Sequence, residues 1–224
     1  MARRFSDDLR QEADPLWQQI LRHPFLRELG DGRLPLDAFR FYVKQDYVYL
    51  LEFSRCLGIA AAKADDRETM RTLASLLEAS LTIEVTMLER LGDQIGITTK
   101  ELQTAEAAPT NVAYTRHLLT VAYGGTVGEI LAAMLPCMWS YQEIGARLST
   151  QRGVTENAVY AAWCATYQTP EYWELVTWYR RLVDDRAAAS GSLMKERMRA
   201  HFLLSSRFEY LFWEMAYRQE TWPL

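Results

Sequence analysis

Residues 39–64 read FRFYVKQDYVYLLEFSRCLGIAAAKA. Large apolar side chains recur there every three or four positions, the repeat of a helix that buries one face. A long helix is predicted from near Leu36, after the turn Gly30-Asp31-Gly32, to about Ala64. The same period runs outward in both directions, and no stretch alternates as a strand does. Upstream, Ser6 followed by Asp7 and Asp8 is expected to open a first helix that Pro15 kinks. Downstream, a helix follows Asp65-Asp66 and runs to Leu91, where Gly92 is expected to stop it. Residues 96–109 read as a broken connector with one helical turn. Thr110 is then expected to cap NVAYTRHLLTVAY, and Thr126-Val127-Gly128-Glu129 has the form of a capping box. Gly153 should break the helix that follows, with Thr155 capping ENAVYAAWCATYQ. Thr169-Pro170 marks another start, and a last helix spans about Ser192 to Gln219. The expectation is an all-α fold, a bundle of seven to eight helices. No Pro/Gly/Ser-rich linker or internal repeat divides it, so residues 1–224 are expected to form one domain.

Composition removes several classes of function. The formal net charge is -4, with acids and bases mixed along the chain. A nucleic-acid binder should instead carry a basic stripe. Three cysteines, Cys56, Cys137 and Cys164, are odd in number, far apart and without zinc spacing. The N-terminus MARRFSDD has no apolar h-region, and no apolar run reaches the length of a membrane span. Free thiols in a reducing cytoplasm are the expectation.

Three stretches combine reactive groups with aromatic faces. In 135–145, LPCMWSYQEIG, Pro136 withholds a backbone donor and displaces the carbonyl four residues earlier. Cys137 therefore sits beside irregular backbone, with Tyr141 one turn on. A small cysteine packed behind a kink is the competing reading. In QDYVYL, Asp46 shares a face with Tyr49 and Phe53, and Tyr42 lies one turn earlier. A carboxylate on an apolar face is costly unless a donor-rich ligand or a base meets it. The alternative is an edge acid paired with Lys44 or Arg55. In 208–217, FEYLFWEMAY, Glu209 shares a face with Phe212 and Trp213, whereas Glu214 points elsewhere. A carboxyl in an apolar setting has a raised pKa and can donate a proton near neutrality. Tyr114 and Tyr167 are further inward phenols, while Cys56 and Cys164 read as structural.

In order and spacing, QDYVYL, AYTRHL, LPCMWSYQEIG, ATYQTPEYWELV and FEYLFWEMAY resemble the thiaminase II (TenA) family, in its cysteine-containing branch. The resemblance spans nearly the whole chain and implies a haem-oxygenase-like fold. It also implies hydrolysis of aminomethyl-pyrimidine or thiamin to hydroxymethyl-pyrimidine, in thiamin salvage. Carried over by position, Cys137 would be the nucleophile and Glu209 the proton donor. Asp46 would hold the ring's amidine edge, and Tyr49 would raise the nucleophilicity of the thiol. Tyr114, Tyr141, Tyr167 and Phe212 would line the ring's surroundings. The resemblance implies no metal or organic cofactor, a homotetramer, and a substrate that is a small pyrimidine rather than nucleic acid or membrane. Aminomethyl-pyrimidine is expected to be preferred over thiamin.

Two other functions compete. A pyrimidine-binding regulatory protein could use the same residues without turnover, although binding alone needs no nucleophile. A haem or di-iron protein would use the same architecture. Di-iron bundles need Glu-x-x-His, and the residues three before His23, His117 and His201 are Ile20, Tyr114 and Met198. His23, before Pro24, reads as a satisfied histidine rather than an axial ligand.

Overall fold

The computed structural model describes residues 3–223, and among them every regular element is helical. In chain order these are α1 (Phe5–Leu21), α2 (Pro24–Gly30), α3 (Leu36–Lys63), α4 (Arg67–Ala79) and α5 (Val85–Gln94). Then come α6 (Thr99–Gln103), α7 (Pro109–Gly124), α8 (Val127–Leu148), α9 (Arg152–Thr155), α10 (Ala158–Thr166), α11 (Pro170–Ala188) and α12 (Ser192–Arg218). A π-helical turn, Ser80–Glu84, joins α4 to α5 without a break. Taking that run as one rod, the long helices match the expected seven to eight, and α2, α6 and α9 are short additions.

Several boundaries differ from the sequence reading for local reasons. Pro109, not Thr110, is the first residue of α7, because proline's fixed φ suits that position and its missing donor costs nothing there. Asn157, not Thr155, caps α10, its Oδ1 accepting from the amides of Val159 (3.0 Å) and Tyr160 (3.2 Å). The first helix begins at Phe5, and the Ser6 amide donates to Asp184 Oδ1 at 2.7 Å instead of opening the helix. Gly92 lies inside α5, which continues to Gln94. The capping box at Thr126 is present: Glu129 Oε2 accepts from the Thr126 amide at 2.8 Å. His23 is satisfied, its Nδ1 accepting from the Phe25 amide at 3.2 Å and so capping α2.

The chain divides into two compact units. The first contains the chain up to Leu34 and Leu131–Trp213; the second contains Pro35–Ile130 and the chain from Glu214 onward. In the first, Trp17 is the anchor. Its Nε1 donates to Ser206 Oγ at 3.0 Å, and its ring stacks on Phe202 and meets the Trp139 edge. The guanidinium of Arg10 lies 4.3 Å from the Trp17 ring, and that of Arg180 lies 3.9 Å from Trp139. Gly32 and Gly153 let two turns of this unit touch. Gly32 has φ +71°, and a Cβ on Gly153 would sit 1.9 Å from the Gly32 nitrogen. Backbone cannot yield there, so Gly153→Ala is expected to cost about 3 kcal/mol, read as a lower midpoint in urea unfolding.

In the second unit α3 is central. Ser54 Oγ donates to Ser80 Oγ at 3.0 Å, and a Cβ on Gly58 would lie 3.6 Å from Leu77 Cδ2. Those two pairings run in opposite directions along the chain, so α3 and the α4–α5 rod are antiparallel. Lys63, in the last turn of α3, donates to the Tyr123 and Gly125 carbonyls at 2.7 and 2.8 Å, satisfying the end of α7.

Candidate active site

The site residues expected from the sequence fall into two groups, one in each unit. The second unit holds Asp46, Tyr49 and Tyr114. Asp46 is buried, and the Tyr42 hydroxyl donates to its Oδ2 at 3.1 Å. It is not an edge acid with a salt bridge: Lys44 pairs with Glu101 and Arg55 with Glu52. Burial pushes its pKa from 3.8 up to about 7, and the Tyr42 hydrogen bond only partly offsets that. The Tyr49 ring packs on Tyr114 at 5.1 Å and on Phe53 at 5.8 Å.

A buried amide knot fixes this group. Gln45 Nε2 donates to the Glu106 carbonyl at 2.8 Å, and Gln45 Oε1 accepts from the Ala108 amide at 2.9 Å. Asn111 Nδ2 donates to both the carbonyl and Oε1 of Gln45 at 2.9 Å. Gln45 precedes Asp46, and Asn111 lies one turn before Tyr114, so the knot ties the acid's helix to the phenol's.

The first unit holds Cys137, Tyr141, Tyr167, Glu209 and Phe212. Of the three thiols, Cys137 keeps partial exposure while Cys56 and Cys164 are buried. Burial drives the latter two up to about 12, which makes them unreactive near neutral pH. Glu209 is buried, as expected for an acid on an aromatic face. Glu214 is half-buried and paired with Arg218. Ser140, which the sequence reading passed over, lies close to Glu209 and to the backbone of Cys137. Its hydroxyl lies 3.5 Å from Glu209 Oε2 and 3.3 Å from the Cys137 carbonyl. One hydroxyl hydrogen can serve only one of these acceptors at a time, and both contacts are long. Ser140→Ala is therefore expected to lower kcat roughly 3–10-fold, with KM nearly unchanged, in steady-state assays.

Around them stands an aromatic wall. Tyr141 packs against Tyr167 at 5.0 Å, Trp213 at 5.4 Å and Trp163 at 6.2 Å. Trp163 and Trp213 were not singled out in the sequence, yet both are fully buried in this wall. Gly145 makes the Tyr141–Tyr167 approach possible: a Cβ there would lie 2.7 Å from Gln168 Nε2 and 3.0 Å from Tyr167 Cβ. Tyr172 Oη donates to the Met138 carbonyl at 2.9 Å, tying α11 to the backbone beside the cysteine. Such rings pack edge and face against one another and hold Tyr141 in a dry, apolar setting.

No group of metal-ligating side chains occurs among the described residues, and none of their helices is long and apolar enough to cross a membrane.

Comparison with known proteins bears on the family and the fold. An aminopyrimidine aminohydrolase of Halalkalibacterium halodurans is 37% identical over 97% of both chains. The solved TenA homologue from P. horikoshii OT3 superposes with a TM-score of 0.88 at 35% identity, covering 96% of this chain and 99% of that one. A Shewanella denitrificans domain with a haem-oxygenase-like fold superposes at 0.76 with 10% identity, covering 95% and 92%, which identifies the fold alone. The profile of the TENA/THI-4/PQQC family matches residues 10–219, and the chain belongs to that family.

Proposed function

We propose that this chain is an aminopyrimidine aminohydrolase of thiamin salvage, converting aminomethyl-pyrimidine and water to hydroxymethyl-pyrimidine and ammonia. The observation that carries the reading is a part-exposed thiol, Cys137, on the same helix turn as Ser140, whose hydroxyl lies 3.5 Å from the buried carboxylate of Glu209 on α12. The Halalkalibacterium relative's name and full-length similarity support the same activity.

In this mechanism the Cys137 thiolate adds its electron pair to a pyrimidine ring carbon, which ends the ring's aromaticity. Electron density in the dearomatised ring then expels the substituent on the exocyclic methylene, and Glu209 protonates the departing nitrogen. Water adds to the methylene, its proton returns to Glu209, and the thiolate leaves to restore the ring. Asp46 holds the amidine edge and offsets the positive charge that develops there. Tyr49, Tyr114, Tyr141, Tyr167 and Phe212 are assigned the substrate-binding and supporting roles that the resemblance implies. A binding protein has no use for a nucleophile and a proton donor.

Residues 1–224 are read as one catalytic domain, supported by a single family match running from 10 to 219. A cytoplasmic homotetramer fits the free thiols and the exposed apolar side chains Ile83, Tyr123, Trp173 and Leu193. Steady-state kinetics with aminomethyl-pyrimidine and thiamin test the substrate assignment. A higher kcat/KM for the aminomethyl compound supports it, and a preference for thiamin refutes it.

A further inference from the structure

A proline inside α8 weakens the helix just where the reactive thiol is attached. Pro136 has no amide hydrogen, so the Ala132 carbonyl loses its helical donor and the ladder has a gap at which helices hinge. Cys137 is the next residue, the first one beyond the gap. A nucleophile there needs its backbone fixed from outside the helix, because a misplacement of about 1 Å can cost on the order of 10²-fold in rate.

The corner between α10 and α11 grips the segment that follows. Tyr172, in the first turn of α11, donates from Oη to the Met138 carbonyl at 2.9 Å. Gln168, between the two helices, donates from Nε2 to the Gln142 carbonyl at 3.3 Å and to the Tyr167 carbonyl at 2.9 Å. Met138 and Gln142 are four residues apart, so their carbonyls lie one turn apart along one stripe of α8. Each directly follows a candidate site residue, Cys137 or Tyr141. A helical carbonyl has a second lone pair, so it can accept a side chain without leaving the ladder. The corner itself is stiff. Thr169 Oγ1 accepts from the Tyr172 amide at 3.2 Å, Pro170 is the first residue of α11, and the Tyr172 ring meets Tyr167 edge to face at 5.4 Å.

We propose that Tyr172 is a positioning residue for the Cys137 nucleophile: its hydroxyl holds the turn of α8 beyond Pro136 in register with Tyr167. The proposal rests on the reading of Cys137 as the nucleophile and of Tyr167 as a side chain that binds the ring. In that reaction the sulfur is carried by α8, whereas Tyr167 belongs to the corner. The register between these two elements therefore sets the direction and distance of attack. Of the two donors that fix it, Tyr172 makes the shorter bond and makes it beside the cysteine. A neutral hydroxyl bonded to a backbone carbonyl brings no charge to the sulfur, so its effect is on where the thiol points and not on how readily it reacts.

The test compares wild type with Tyr172→Phe, which removes the hydroxyl and keeps the ring beside Tyr167. Two rates are read on the same preparations: steady-state hydrolysis of aminomethyl-pyrimidine, and alkylation by iodoacetamide. Alkylation reports on Cys137, because Cys56 and Cys164 are buried and pushed up to about 12. Iodoacetamide can meet the sulfur from any open direction, whereas a bound ring must meet it from one. In Tyr172→Phe, kcat is expected to fall about 10-fold, with KM and the alkylation rate each within about twofold of wild type. A lower thermal midpoint with unchanged kcat marks a merely structural bond and overturns the inference. An alkylation rate that falls as far as kcat also overturns it, since the hydroxyl would then govern reactivity and not direction. Gln168→Met, which removes the second donor, covers the case in which Tyr172→Phe does not fold. There kcat is expected to fall about threefold at unchanged alkylation rate, and an unchanged kcat overturns the inference. If wild type makes no product from aminomethyl-pyrimidine, the aminohydrolase reading fails and takes the inference with it. Turnover by wild type and equally by the variants removes the inference alone.

Discussion

Cys137→Ala is expected to lower kcat/KM for aminomethyl-pyrimidine by about 10³-fold or more, because the covalent step disappears. The thiol keeps partial exposure, and alanine removes only one sulfur, so the thermal midpoint should move by no more than a few degrees. Glu209→Gln is expected to be nearly as damaging. The double variant Cys137→Ala/Glu209→Gln should then be little worse than either single change. Residues serving one covalent cycle lose their value together. Additive losses would mean that Glu209 acts on a step that does not need the cysteine. Steady-state rates with melting curves on the same preparations check both parts.

Asp46→Asn is expected to change stability and activity in opposite directions. Activity should fall about 10²-fold or more, since an amide cannot balance the charge that develops on the ring. Stability should rise, and the sign follows from the titration. Asp46 ionises near 3.8 in an unfolded chain and near 7 in the folded one, so between those values folding takes up a proton. The wild type therefore loses stability as pH rises from about 4 to 7, by on the order of 4 kcal/mol once the interval is crossed. Asparagine carries no charge to bury and can still accept from Tyr42 through its Oδ1. Urea unfolding should show the variant more stable than wild type at pH 8, with the advantage vanishing near pH 4. An advantage independent of pH would show that burial of the Asp46 charge is not its source.

A protein that keeps a destabilising acid in its core is trading stability for chemistry, and such places are where sequence patterns give way. Much of this fold was legible because its long helices bury one face in a regular 3.6-residue repeat. Asp46 and Glu209 stood out for the same reason: each interrupts an aromatic face, and both prove buried. The misread boundaries, Pro109 and Asn157, lay within two residues of a neighbouring threonine able to cap. Local propensity does not choose between such close candidates.

The π-turn was illegible for a different reason. It changes the angular step between Ser80 and Val85, so faces assigned by counting from α4 do not carry into α5. Ser140 offers no apolar contrast and no charge, and only three dimensions bring its hydroxyl to Glu209. Trp163 and Trp213 sit in apolar runs where any large side chain would be expected, so their place around Tyr141 emerges only from packing.

The most direct measurement is mass spectrometry of the product formed from aminomethyl-pyrimidine in ¹⁸O-water, for wild type and Cys137→Ala side by side. The account predicts hydroxymethyl-pyrimidine carrying one ¹⁸O, released with ammonia by the wild type and essentially lost in the variant. No hydroxymethyl product from the wild type, or equal product from both proteins, would contradict it.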